Sequence, residues 1–132
     1  MLRGFSRISR SIKYTKTHEW LRPTQSGSVR VGISRYAQEQ LGEVVYVELP
    51  SEGKTFSRNA SFATLESVKA VGEVFCPLTD AKVVAVNKTL KETPGLVNSD
   101  PEGEGWIVEL AAEKPLPEDL MDEAQYKEHS SH

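Results

Sequence analysis

Short tracts with a β-strand pattern recur along the chain at intervals of about ten residues, and turn-forming residues separate them. Val29, Val31 and Ile33 alternate with polar or small residues in "SVRVGI", which is the period of a half-buried strand. The further tracts are "EVVYVELP", "ASFATLE", "GEVFCP", "AKVVAVN" and "WIVEL", with turn signals such as "SEGK" between them. This arrangement predicts a mainly β chain that folds as an antiparallel barrel or sandwich.

Two helical segments are predicted beside the strands. In "SRYAQEQLG", Ser34 can cap a short helix and Gly42 can end it in a left-handed conformation. The second predicted helix covers residues 118 to 127, near the end of the chain. We also expect a turn with positive φ at Gly95, and a frayed chain end over residues 128 to 132.

The length of 132 residues suits one domain with a single core. No apolar run approaches the roughly 18 residues that a membrane span needs, so we exclude a membrane protein. Cys76 is the only cysteine, which excludes an internal disulfide and a multi-cysteine metal site. We interpret its thiol as a buried packing group.

Charge is unevenly distributed between the first residues and the rest of the chain. "MLRGFSRISRSIK" is rich in Arg and Ser and contains no acidic residue, and its apolar residues Leu2, Phe5 and Ile8 have helical spacing. This pattern is typical of a mitochondrial transit peptide over residues 1 to 13, and a disordered basic leader is the alternative. The rest carries 12 basic and 19 acidic residues, a formal net charge of −7. That balance argues against a nucleic-acid surface.

Lys69 stands between the tracts "ASFATLE" and "GEVFCP", at the tip of the hairpin that they are predicted to form. A lysine at such a turn is usually a solvated surface residue, and an electrostatic contact for a partner is a second interpretation. The third is covalent modification, because the flexible lysine stem and a hairpin tip both carry the amine away from the protein body. Acylation would remove the charge and place a prosthetic group on a swinging tether. The residue pattern alone leaves these alternatives open.

The chain offers little for independent catalysis, which needs a nucleophile, a base and a group that orients the base. His129 and His132 lie near the chain end, so His18 is the one histidine that we expect to be ordered. One such histidine and one cysteine do not make a recognised metal site. We therefore predict a protein that is not an enzyme.

The segment "FATLESVKAVGEVFCPLTDAKVVAVN" resembles the lipoyl-bearing hairpin of the glycine cleavage system H-protein family, and "ESVKA" is similar to its lipoyl-attachment motif. "KYTKTHEW", "VGISRYAQEQLGEVVYVELP" and "PGLVNSDPEGEGWIVEL" resemble further family blocks in the same order. The resemblance covers about Lys13 to Tyr126. It implies a lipoyl-domain-like flattened β barrel or sandwich with short helices and a C-terminal helix. This domain would occupy residues 14 to 128, with a disordered tail at 129 to 132.

By this resemblance, Lys69 carries lipoate in amide linkage. A biotin carrier would be expected to have methionines beside the lysine, where Val68 and Ala70 stand. The family passes the aminomethyl group of glycine from the pyridoxal-phosphate glycine decarboxylase (P protein) to the tetrahydrofolate-dependent aminomethyltransferase (T protein). Dihydrolipoyl dehydrogenase (L protein) then reoxidises the arm. A lipoyl or octanoyl transferase or ligase is implied as the enzyme that installs lipoate.

The resemblance also implies a cleft that protects the aminomethyl group from water, in which a carboxylate holds the amine. Glu19 of "HEW" stands at the matching place, and Thr17 and Glu73 match the supporting hydroxyl and acidic groups. Some family members have a histidine where this chain has Gln40.

Two alternatives stay within the class of lipoyl carriers. One is a lipoyl domain of a 2-oxo acid dehydrogenase, which is normally smaller and joined by a flexible linker to a catalytic core. The segments "HEW" and "GWIVEL" and the C-terminal helix favour the H-protein family over this alternative. The other is an H-like protein that mainly donates lipoate in a lipoyl relay, and the sequence does not distinguish it from the shuttle.

We interpret Trp20 and Trp106 as packing residues. The expected location is the mitochondrial matrix, or the cytoplasm if the leader is not a transit peptide.

Overall fold

A computed structural model of the protein describes residues 12–111 and 116–130. Most of the leader predicted over residues 1 to 13 therefore lies outside the described residues. Lys13 is described and belongs to the first strand, where it pairs with Leu21. The first strand thus includes the last residue of the predicted leader.

Within the described ranges, the chain forms nine strands and four helices. The strands are β1 (Lys13–Tyr14), β2 (Glu19–Pro23), β3 (Ser28–Ile33), β4 (Val44–Glu48), β5 (Thr55–Phe56), β6 (Ser61–Ser67), β7 (Val71–Phe75), β8 (Ala81–Val86) and β9 (Val108–Ala111). The helices are α1 (Arg35–Leu41), α2 (Thr89–Glu92), α3 (Leu96–Ser99) and α4 (Glu123–Ser130). None of these helices is long and apolar enough to cross a membrane.

The strands form two antiparallel sheets that are not closed into a barrel. A six-stranded sheet has the order β1-β2-β3-β9-β8-β5, and a three-stranded sheet has the order β4-β6-β7. Side chains of both sheets, among them Leu21, Val31, Leu65 and Val83, pack in one hydrophobic cluster. Removal of this apolar surface from water is the main contribution to folding. The prediction of a mainly β fold with short helices and a C-terminal helix is confirmed.

Trp20 packs against the backbone of the neighbouring strand at Gly32. Its indole is fully buried, and Nε1 donates a hydrogen bond of 2.9 Å to the carbonyl of Pro101. Trp106 lies partly buried in the same aromatic cluster, before β9 rather than within it. The strand predicted for "WIVEL" begins only at Val108. Both tryptophans therefore pack within the fold, as expected.

We expect Gly32→Ala to lower the free energy of unfolding by about 1–3 kcal/mol, because overpacking a filled site forces neighbours from their places. A Cβ atom at Gly32 would lie 2.8 Å from three atoms of the Trp20 indole. Denaturant titration measures the effect. Gly95→Ala is the matched control, because a Cβ there meets nothing within 4 Å and the φ of −64° suits alanine. Equal losses for the two variants would contradict the close contact at Gly32.

Helix α1 begins and ends as the sequence predicts. The hydroxyl of Ser34 accepts a hydrogen bond of 3.1 Å from the amide of Ala37, and Gly42 has a φ of 89° after the last turn. Gly95 differs from the prediction of positive φ, since its φ is −64°. It leads directly into α3 and already has the right-handed helical backbone of that turn.

The C-terminal helix begins later than predicted, at Glu123 rather than at residue 118. The carboxylate of Asp122 accepts a hydrogen bond from the amide of Gln125, whose side chain accepts one from the amide of Asp122. This reciprocal pair is a capping box, and it fixes the start of the helix. The helix ends at Ser130, so part of the predicted frayed end and disordered tail is helical. Residues 131 and 132 lie outside the described residues.

Candidate functional site

Lys69 lies in the turn between β6 and β7, at the tip of the predicted hairpin. The amide of Ser67 donates a hydrogen bond of 2.8 Å to the carbonyl of Ala70 and closes the turn. The hydroxyl of Ser67 accepts hydrogen bonds from the amides of Lys69, at 3.2 Å, and Ala70, at 3.0 Å. Because one hydroxyl satisfies two turn amides, Ser67 determines how the lysine is presented.

The hairpin tip is attached to the segment that follows α1. The amide of Val68 donates a hydrogen bond of 3.0 Å to the carbonyl of Glu43. A Cβ atom at Gly42 would lie 3.2 Å from Cε of Lys69, so the missing side chain leaves room for the lysine stem. Lys69 is exposed, and no described carboxylate forms an ion pair with it. Its amine is therefore accessible for reaction.

Glu19 is a carboxylate buried at the start of β2, with only 1% of its surface exposed. Its Oε1 accepts hydrogen bonds from the hydroxyls of Thr15 and Thr17. Its Oε2 accepts a hydrogen bond of 3.1 Å from the amide of Phe75. The carboxylate thus connects the turn between β1 and β2 with the open edge of β7.

Burial raises the pKa of Glu19, and the hydrogen bonds from Thr15, Thr17 and Phe75 partly oppose that rise. No lysine or arginine among the described residues forms an ion pair with this carboxylate. An ionised Glu19 is therefore hydrogen-bonded but not neutralised. Such a group attracts a small cation that can replace the lost hydration.

A cleft of about 410 Å³ connects the surroundings of Lys69 with Glu19. At the hairpin end it is lined by Ala70, Gly72 and Leu41, and at the other end by Glu19. A Cβ atom at Gly72 would lie 3.3 Å from Cδ1 of Leu41, so a side chain there would narrow the entrance.

A second cleft of about 200 Å³ also reaches Glu19, from the side of Arg58 and Cys76. No residue of the hairpin turn lines it. Burial raises the pKa of the Cys76 thiol, which agrees with its interpretation as a packing group. The larger cleft is therefore the one that a group attached to Lys69 can enter.

The structure brings three of the four predicted site residues into one cleft, and Lys69 lies beside its hairpin end. Thr17, Glu19 and Glu73 all line it, together with Gln40 from α1. Thr17 is hydrogen-bonded directly to Glu19, whereas Glu73 is solvent-exposed. Trp20 does not line this cleft.

Sequence reasoning missed Thr15, which contacts Glu19 twice. Its hydroxyl donates to the carboxylate and accepts a hydrogen bond of 3.0 Å from the Glu19 amide. The spacing "TKTHE" was the available signal, because a tight turn places both threonines beside the glutamate. The amide of Phe75 was also missed, and no local sequence signal indicates it, since it reaches Glu19 from another sheet.

Comparison with known proteins gives the same family over nearly the whole chain. The family model described as "Glycine cleavage H-protein" matches residues 12–132. The glycine cleavage system H protein of Myxococcus xanthus is 51% identical over 120 residues, which are 90% of this chain and 92% of that protein. The corresponding protein of Thermotoga maritima is 49% identical over 118 residues, 88% of this chain and 93% of its own. A crystal structure of a glycine cleavage system H protein from Mycobacterium marinum aligns with a TM-score of 0.83 at 30% identity, covering 93% of this chain and 98% of that one.

Proposed function

This chain belongs to the glycine cleavage H-protein family, the lipoyl carriers of the glycine cleavage system, and on that premise we propose that Lys69 bears lipoate in amide linkage on Nζ. The observation that carries the proposal is the position of Lys69. Its free amine stands on a hairpin tip at one end of a cleft, and the buried carboxylate of Glu19 stands at the other. The loaded arm would move its cargo between this cleft and the active sites of partner enzymes.

The residues of the cleft fit such a group. Ile33, Ala37, Leu41 and Leu65 supply an apolar lining that suits an aliphatic chain. The missing side chains at Gly42 and Gly72 keep the path beside the lysine stem open. When bound, lipoate supplies a dithiolane that accepts the aminomethyl group and the electrons of the glycine decarboxylation.

Glu19 is the residue that we propose to hold the protonated amine of the cargo. The carboxylate already has three hydrogen-bond donors and forms no ion pair with a lysine or arginine of the described ranges, so an ammonium group would donate to an acceptor that is fixed in place. Thr17 supports it by a direct hydrogen bond, and the exposed Glu73 adds negative charge at the edge of the cleft. The apolar lining keeps bulk water away from the bound group.

The proposed partners are the enzymes that load, unload, reoxidise and install the arm. These are glycine decarboxylase (P protein), aminomethyltransferase (T protein), dihydrolipoyl dehydrogenase (L protein) and a lipoyl or octanoyl transferase or ligase. The acidic balance of residues 14 to 132 favours basic docking faces on them, with binding that weakens as salt increases. The chain itself supplies binding and positioning rather than catalysis.

Reconstitution tests this proposal. The lipoylated protein, mixed with its own decarboxylase, is expected to support exchange of labelled bicarbonate into glycine, and the unlipoylated protein is expected not to. If the lipoylated protein fails in this exchange but passes lipoyl groups to other acceptors, its function would be that of a donor in lipoyl relay and not that of the shuttle.

We propose the mitochondrial matrix as the location. The support is the basic, acid-free composition of the first residues, which lie outside the described part of the chain. The intact mass of the protein from its own organism tests this proposal, because import is expected to remove a segment that ends before Lys13. A full-length mass in the soluble cytoplasmic fraction would contradict it.

A further inference from the structure

One tyrosine hydroxyl lies between two segments that line the cleft. Tyr126 projects from α4 and is 6% exposed. Its hydroxyl is 2.6 Å from Nδ1 of His18 and 2.6 Å from Oγ of Ser34. A buried hydroxyl with partners on two segments restricts both of them.

The first partner belongs to the turn that carries Glu19. His18 lines the cleft and has a left-handed backbone with a φ of 74°. The turn is closed by a hydrogen bond of 3.1 Å from the His18 amide to the carbonyl of Thr15. A non-glycine residue in this conformation persists only where its surroundings hold it. The contact with Tyr126 is one such restraint.

The second partner belongs to the start of a helix that also lines the cleft. Ser34 caps α1, and Tyr36, Ala37 and Leu41 of that helix line the cleft. The main chain also connects the two segments, through a hydrogen bond of 2.9 Å from the Ser34 amide to the carbonyl of His18. The Tyr126 hydroxyl adds a side-chain connection between the same two segments.

One arrangement of protons satisfies every group in this network. Oγ of Ser34 accepts from the Ala37 amide and donates to the Tyr126 oxygen, which leaves the Tyr126 hydroxyl to donate to His18. His18 accepts in its neutral form. Burial and the nearby His129 lower the pKa of His18, which favours that form at neutral pH.

We infer that Tyr126 is a positioning residue, whose hydroxyl holds the His18 turn and the start of α1 together and so sets the width of the cleft. This inference rests on the proposed function, because the cleft is the place where the cargo is protected. Loss of the hydroxyl leaves Ser34 and His18 each without one buried partner. The His18 turn and the start of α1 then separate more often and admit water to the cleft.

Tyr14 provides a matched control. Its ring stacks on that of Tyr126, with centroids 4.3 Å apart and planes at 4°. Its hydroxyl donates to Glu102 at 2.9 Å, and the other oxygen of Glu102 accepts from the amide of Arg35, also at 2.9 Å. Tyr14→Phe therefore removes a contact of Glu102 near the start of α1 but keeps the connection between α1 and the His18 turn.

The experiment compares lipoylated wild type, Tyr126→Phe and Tyr14→Phe as full chains. Amide hydrogen exchange is read at His18 and Ala37, and cargo loss is followed after loading and removal of the decarboxylase. Tyr126→Phe is expected to speed amide exchange at His18 and Ala37 by about fivefold to tenfold, and cargo loss by the same factor. This factor corresponds to the loss of about one net hydrogen bond. Tyr14→Phe is expected to leave His18 exchange and cargo loss at wild-type values.

Unchanged His18 exchange in Tyr126→Phe, or equal effects of both variants, would overturn the inference and leave the proposed function intact. Wild type that never acquires cargo would overturn the proposed function, and exchange at His18 and Ala37 would still decide whether Tyr126 restrains both segments. If Tyr126→Phe does not fold, His18→Asn breaks the same connection from the other end. Asparagine tolerates the positive φ but is shorter than histidine, and it is expected to speed Ala37 exchange in the same way.

Discussion

Lys69→Arg is expected to abolish lipoylation and to reduce bicarbonate exchange to the level of an assay without the protein. Amide formation needs a neutral amine, and the guanidinium group stays protonated throughout the physiological pH range. Arginine keeps the positive charge and the exposed position at the hairpin tip, so the fold should not change. Intact mass measures the absence of the lipoyl increment, and the exchange assay measures the loss of carrier function.

The control for this variant is Lys82→Arg, which changes another exposed lysine on β8. It should be lipoylated to the same extent as wild type and support the same exchange rate. A lipoyl increment on the Lys69→Arg protein would show that another lysine is the attachment site. Full exchange by an unmodified Lys69→Arg protein would remove the basis of the carrier proposal.

Glu19→Gln is expected to leave lipoylation intact and to speed cargo loss by about tenfold to a hundredfold, because a hydrogen bond to a charged group contributes about 1.5–3 kcal/mol. Glutamine preserves the local contacts, since its oxygen can accept from the Phe75 amide and its nitrogen can donate to the hydroxyls of Thr15 and Thr17. The time course of release after removal of the decarboxylase measures the effect.

The pH dependence of the free energy of unfolding distinguishes the effect of Glu19→Gln on stability from its effect on cargo binding. Burial raises the pKa of Glu19 in the folded state above its unfolded value, so the folded state takes up the proton first. The stability that this protonation contributes is complete below the unfolded pKa and is lost as the pH rises through the folded pKa. As the pH rises from the unfolded to the folded pKa of Glu19, the free energy of unfolding of Glu19→Gln should therefore increase relative to that of wild type. Denaturant titrations at several pH values across this interval measure the difference.

The matched control is Glu73→Gln, which removes an exposed carboxylate from the same cleft. Its effect on cargo lifetime should be smaller than that of Glu19→Gln, because solvent screens an exposed charge. A Glu19→Gln protein that loses stability while cargo lifetime stays the same would give Glu19 a structural role instead.

The parts of the fold that the sequence predicts are those with local causes. β3 was predicted with its observed bounds because alternation in "SVRVGI" directly reflects which residues face the core. α1 was predicted for the same kind of reason, since Ser34 and Gly42 determine its ends through their own backbone and side chain. The hairpin with Lys69 at its tip required only two strand patterns with a short separation.

The remaining features depend on contacts between distant parts of the chain. The burial of Glu19 requires the β1–β2 turn to contact the edge of β7, where Phe75 is 56 positions away from Glu19 in the sequence. The contact between His18 and Tyr126 spans 108 positions. The late start of α4 is different, because its capping box was present in "DEAQ" and the acidic residues before it gave a competing signal.

Gly42 has two roles that no other residue type can combine. Its φ of 89° ends α1, and the space left by its missing side chain is adjacent to Cε of Lys69. Any L-amino acid at this position strains the backbone and crowds the lysine stem at once. A genetic screen for variants that fold but are poorly acylated should therefore identify position 42, although glycine contributes no functional group of its own.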